Sequence, residues 1–166
     1  MWREVDIKMA VTWADFERAE PGLAALVQER FESHRHAVMA TLRSDGAPRL
    51  SGMETPIRDG HLWLAMDTVS HKTSDLRRDP RFSIHSALDG EELLLGDARV
   101  EGRALPARDT DVALFIQGHR FTIDDPSTMA LFTADISRVV LVRVEDRFLV
   151  VSAWAPEDGR TETRLP

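Results

Sequence analysis

The stretch "MDTVSHKTSDLRRDP", Met66 to Pro80, holds Lys72, one of two lysines in a chain of 166 residues that carries nineteen arginines. The period of the sequence changes within it. "HLWLAM", His61 to Met66, reads as a strand, while "HKTSDLRRD" makes about two helical turns between a good N-cap, Ser70, and the stop at Pro80. A helix start presents unpaired N–H groups and the positive end of the macrodipole. Here it also carries the hydroxyl of Ser70, the imidazole of His71 and the ammonium of Lys72. Donors and positive charge converge on one point, as a phosphate requires. Lysine brings a compact charge with rotatable donors, unlike the planar fork of arginine. Taken alone, Ser-x-Lys more often means a plain cap beside a solvated lysine.

Upstream of this stretch, "HAVMATLR" (His36 to Arg43) reads as a strand, "SDGAP" as a turn, and "RLSGMETPI" as the antiparallel return. A second turn, "RDG" at Arg58 to Gly60, leads into "HLWLAM", so three strands form a meander. The N-terminal region reads as two helices: Thr12 caps "WADFERAE", and Pro21 opens "PGLAALVQERFESH" with Leu23, Leu26, Val27 and Phe31 on one face. Downstream, "RFSIHSAL" resumes an extended run, "DGEE" turns it, and Gly96 and Gly102 suggest bends in "LLLGDARVEGRAL". Pro106 is expected to open a helix with Val112, Ala113, Leu114 and Ile116 as apolar contacts, and Ser127 to cap a short one in "DDPSTMALFTAD". "ISRVVLVRV" and "RFLVVSAW" read as a closing hairpin about "ED". The sum is roughly seven strands with helices at the start and between later strands, a compact antiparallel barrel flanked by helices.

Composition narrows the function. A net charge of -7 argues against general nucleic-acid binding, which needs a basic stripe. With no cysteine there is no thiolate nucleophile and no cysteine-ligated metal. No apolar run approaches the roughly 20 residues that span a bilayer, and "MWREVDIKMA" lacks a signal peptide's apolar centre, so a cytoplasmic protein is expected.

The order "AVMATLR", "DGAPR", "LSGM", "HLWLAM" and "SHKTSDLRRDPRFSI" resembles the flavin-binding split barrel of the pyridoxamine 5'-phosphate oxidase family. Its most specific piece is S-x-K-x-x-x-L-x-x-x-P-R, Ser70 to Arg81, and the likeness covers Ala37 to Leu105 well and the terminal hairpin more loosely. It implies an α+β, mainly β fold: a six- to seven-stranded antiparallel split barrel in one domain over residues 1–166, with a helical segment, 1–35, packed on the barrel. It implies an oxidoreductase that binds FMN and a small-molecule substrate at a homodimer interface. Ser70, His71 and Lys72 would be phosphate ligands, with Arg49 reaching the same group. The ring would lie along the second and third strands, against backbone groups of Leu50, Ser51 and Met53 and of Ala65, Met66 and Asp67. Met53 and Met66 read equally as core fillers, and Asp67 as a strand-end turn residue. Trp154 looks like the aromatic that crosses to the partner subunit, with a buried core tryptophan as the alternative.

The chain also departs from the family pattern. Members that oxidise pyridoxamine phosphate carry a basic residue near Glu54 and an Arg-x-His pair near the C-terminus, and no histidine follows Trp154 here. That substrate is therefore not expected. Arg77, Arg78 or Arg81 can extend a basic rim toward a longer anionic tail, which keeps the deazaflavin coenzyme F420 as an alternative cofactor; a non-catalytic flavin or haem carrier is another. His34 and His36 read as a solvated helix end rather than metal ligands, and His85 as an interior histidine. No side chain stands out as a general acid or base.

Overall fold

The structure, a computed structural model, describes residues 9–88, 93, 95–118, 123 and 125–166. Two helices come first, α1 (Trp13–Ala19) and α2 (Pro21–Glu32). Thr12 and Asp15 form a capping box, and Pro21 occupies the first turn of α2. Four strands follow: β1 (Ala37–Leu42), β2 (Pro48–Met53), β3 (Ile57–Arg58) and β4 (His61–Asp67). Asp59 and Gly60, both at positive φ, make the two-residue loop between β3 and β4 that suits a twisted hairpin. Then come α3 (His71–Arg78), β5 (Arg81–His85), β6 (Asp97–Pro106) and α4 (Asp109–Gln117). A 3-10 turn at Pro126–Thr128 precedes β7 (Met129–Glu145), β8 (Phe148–Ala155) and β9 (Gly159–Leu165).

All pairings are antiparallel, in the order β2-β1-β5-β6-β7-β4-β3, with β8 on β7 and β9 on β8. The 17 residues of β7 are the spine: one edge pairs with β6, the other with β4 at its start and β8 at its end. The sheet curls without closing, because β2 and β4 do not pair. A bulge between Glu101 and Gly102 helps bend it, and a Cβ at Gly102 would lie 2.2 Å from the Asp135 carbonyl oxygen. The inner face of the sheet, with Met39, Ile84, Val100, Ile136, Val139 and Leu141, packs on Trp13, Phe16, Leu23, Val27 and Phe31 of the two helices. Burying this continuous apolar surface is the main stabilising term.

Several sequence expectations need correction. Among the described residues the sheet has nine strands, two more than the seven segments that the sequence suggests. The additions are two-residue β3 and β9, whose polar sequence "GRTETRL" gives no apolar alternation because most of it faces solvent. Pro106 ends β6 instead of opening α4, and α4 buries Phe115 while Leu114 stays 37% exposed. Phe115 joins Trp63 and Leu131 in a smaller second cluster. Leu26 lies at the margin of the α2 apolar face, and Ala24 is buried in its stead. Asp125, not Ser127, caps the 3-10 turn, and the last hairpin turns on Asp146 and Arg147. "DGEE", 89–92, lies outside the described residues.

Candidate functional site at the open seam of the sheet

Helix α3 starts as its sequence predicts. The Ser70 hydroxyl accepts from the Thr73 N–H at 3.3 Å and lies 2.9 Å from the Thr73 hydroxyl, which itself donates to the Asp67 carbonyl at 2.6 Å. The Thr73 proton is thereby used, so Ser70 donates its own to Thr73, and its hydroxyl is committed to the cap. Lys72 is not a solvated neighbour of that cap. Its ammonium donates to the Gly52 carbonyl on β2 at 3.0 Å, and burial pushes its pKa below the ordinary lysine value. His71 is exposed beside it.

One turn further on, at Asp75, stands a hub that the sequence reading missed. The side chain is 4% exposed; its carboxylate accepts from Arg49 Nε at 2.7 Å, the Thr41 hydroxyl at 2.9 Å and Arg78 Nη2 at 3.3 Å. Burial acts to raise the Asp75 pKa, but these hydrogen bonds and the charge of Arg49 outweigh it and hold the carboxyl below the usual range. Asp75 is three residues from Lys72, so the two share one face of the helix.

Strand parity decides which backbone groups are available to a ligand. In an antiparallel ladder, residues alternate between turning both polar groups to the partner and turning them away. The Arg43 N–H donates to the Ala47 carbonyl, so Thr41–Arg49 and Met39–Ser51 are the bonded pairs, and Leu50 and Gly52 turn outward. On β4, the Thr68 N–H donates to the Thr128 carbonyl and the Trp63 N–H to the Pro56 carbonyl. Ala65 and Asp67 therefore face away from β7, and Met66 faces toward it. Of the strand residues that the sequence reading names, Leu50, Ala65 and Asp67 turn their backbone groups outward, whereas those of Ser51, Met53 and Met66 serve the ladder, and Met53 and Met66 are buried in the core. Gly52, absent from that reading, joins the outward set. Asp67 spends its carbonyl on Ser70 and Thr73 and its carboxylate on the Val69 N–H, so it is the strand-end turn residue.

Between the two free edges lies a cleft of about 430 Å³, lined among others by Gly52, Met53, Glu54, Ala65, Lys72 and Phe115. Arg35 and His36 stand at its margin, and Arg35 pairs with Glu54 at 2.8 Å. Trp154 lies elsewhere. It is 5% exposed, with its ring 4.9 Å from that of Phe16 in the main core, so the interior reading is the one its surroundings fit. The arginine rim is largely engaged, Arg78 with Asp75 and the Leu42 carbonyl and Arg81 with Asp79, whose carboxyl is lowered to about 2 by hydrogen bonds from Arg81. His85 sits 3.5 Å from Asp97, and the His34 ring 3.2 Å from the Ser33 hydroxyl. Among the described residues, no three His, Cys, Asp or Glu side chains are grouped to hold a metal ion, and no helix is long and apolar enough to cross a membrane.

An antiparallel sheet that curls, stays open along one seam and carries a cationic helix start at that seam defines a split barrel. The sequence profile described as pyridoxamine 5'-phosphate oxidase matches residues 23–143, and the chain belongs to that family. No curated protein sequence matches it. Among solved structures it is similar to PhzG from Burkholderia lata 383 in complex with tetrahydrophenazine-1-carboxylic acid, at TM-score 0.68 and 12% identity over 99% of this chain and 96% of that one. It is also similar to a pyridoxamine 5'-phosphate oxidase-related, FMN-binding protein from Nostoc punctiforme PCC 73102, at TM-score 0.60 and 14% identity over 89% and 97%. A third likeness is to Campylobacter jejuni ChuZ, at TM-score 0.61 and 15% identity over 84% of this chain and 61% of that one. At these identities the likeness is one of fold.

Proposed function

We propose that the chain is an FMN-dependent oxidoreductase that holds its cofactor in the seam between β2 and β4, with a second copy of the chain completing the site. The observation that carries this reading is the donor set at one corner. Lys72 reaches the seam, α3 offers its first N–H groups, and Arg49 is tied down by Nε alone. Among the described residues, the two terminal nitrogens of Arg49 make no hydrogen bond. This set fits a phosphate dianion, which needs several charge-assisted donors. The outward backbone groups of Leu50, Gly52 and Ala65 fit the polar edge of a flavin ring. A bound flavin supplies the redox chemistry, and the protein binds, orients and shields it.

Exposed apolar side chains support the dimer. Val69 is 86% exposed in the turn before α3, and Leu50 (72%) and Val38 (43%) lie on the outer face of β2 and β1. A second copy would cover them. The substrate is unlike pyridoxamine phosphate, because Glu54 at the cleft is acidic and paired with Arg35. With Arg78 and Arg81 held by aspartates, FMN is favoured over the longer-tailed F420. The test is to titrate the purified chain with FMN, F420 and haem, following flavin fluorescence and haem absorbance, and then to assay steady-state reduction of an acceptor. Saturable FMN binding with turnover is expected. Binding without turnover would make the protein a carrier, and no flavin binding would end the proposal.

A further inference from the structure

We infer that Asp75 is a positioning residue for the anion corner, holding the Arg49 guanidinium by its Nε so that the two terminal nitrogens stay available one helical turn from Lys72. The inference rests on the phosphate reading above and deepens it. A lone arginine on a free strand edge samples many rotamers, and ordering it on binding costs affinity. Here that freedom is already removed. The side chain is 25% exposed and tethered at 2.7 Å to a carboxylate that is itself 4% exposed. Thr41 on β1 fixes the same carboxylate oxygen from the other side at 2.9 Å.

The geometry of the tether decides its sign. A carboxylate gripping the guanidinium fork with both oxygens would compete with a phosphate for the same donors. Asp75 instead meets Arg49 at Nε, and Arg78 engages its second oxygen at 3.3 Å. Counting charges, Lys72, Arg49 and Arg78 bring three positives against one negative on Asp75, so the corner stays cationic while its arginine is oriented. The buried aspartate is therefore an aid to anion capture.

The experiment compares FMN with riboflavin, which has the same ring and no phosphate, by fluorescence titration of the full chain. The wild type should bind FMN far more tightly than riboflavin. Asp75→Asn should weaken FMN about tenfold, the scale of one charge-assisted hydrogen bond, and leave riboflavin unchanged. In the Arg49→Ala background, Asp75→Asn should cost nothing further, because the two side chains act as one unit. Equal weakening of both ligands would assign Asp75 a merely structural role and overturn the inference, as would unchanged FMN affinity. Should Asp75→Asn fail to fold, Arg49→Lys decides. A lysine cannot pair with Asp75 and donate a fork to phosphate at once, so its loss should approach that of Arg49→Ala; wild-type affinity would refute positioning. A wild type that does not distinguish FMN from riboflavin would fail the phosphate reading itself, a separate result.

Discussion

The two ends of the sheet solve the same problem in opposite ways. At the far end, β8 and β9 extend the ladder until its last strand is polar and solvent-facing, stitched by Arg160–Glu162 and Arg164–Glu145. At the near end, β2 and the latter part of β4, beyond its pairing with β3, leave their backbone edges unpaired, and side chains of α3 reach across to β2 and β1, Lys72 to Gly52 and Asp75 to Arg49 and Thr41. Charges at the far end are exposed and contribute little to stability, whereas those at the near end are partly buried and converge. A protein that keeps unpaired backbone and buried charge together has a use for them. The difference separates the region that holds the fold from the region that holds the proposed cofactor.

Four substitutions break or sharpen this contrast. The largest effect belongs to the structural end: Trp154→Ala should cost about 3–5 kcal/mol of unfolding free energy, the usual range for emptying a buried aromatic site, with FMN affinity of the folded protein unchanged. Denaturant titration and flavin fluorescence measure the two quantities; intact stability with lost affinity would move Trp154 back to the cofactor. Next, Lys72→Ala should weaken FMN binding by about 1.5–3 kcal/mol, and wild-type affinity would remove Lys72 from the phosphate corner.

Third comes a pH effect. The Asp75 pKa is lowered in the folded chain, so the unfolded chain binds the proton more readily, and the stabilisation from this group is complete above its unfolded value of about 4 and lost as pH falls through the folded one. Thermal melts of Asp75→Asn should therefore show a shallower loss of stability than the wild type on acidification below about pH 4. Parallel profiles would show that the carboxylate is not perturbed by folding. The smallest effect is at the solvated end. Arg164→Ala breaks a half-exposed ion pair with Glu145 and should cost under about 1 kcal/mol in the same melts; a larger loss would mean that β9 is held by its charges rather than by its ladder.

Much of this was legible in the sequence, and the failures have common causes. Thr12, Pro21, Ser70 and the Asp59–Gly60 turn announce themselves because capping and turn chemistry are local. The lysine at the helix start could be singled out for its rarity. Strand parity could not, since a one-residue ambiguity exchanges the groups turned to the ladder with those turned to the cleft; the sequence reading therefore takes residues of both parities, Ser51, Met53 and Met66 beside Leu50 and Ala65, and omits Gly52. Asp75 was invisible because its meaning lies in Thr41 and Arg49, which are 34 and 26 residues away. Strand β9 carried no apolar signal to read.

A bare strand edge normally invites another chain to dock on it and grow the sheet. The free edge of β2 gives such an intruder little to hold: Pro48 has no N–H to offer, and an ammonium already covers the carbonyl of Gly52. The seam can thus stay open to a small molecule while offering a stray β-strand little to pair with along its most vulnerable border.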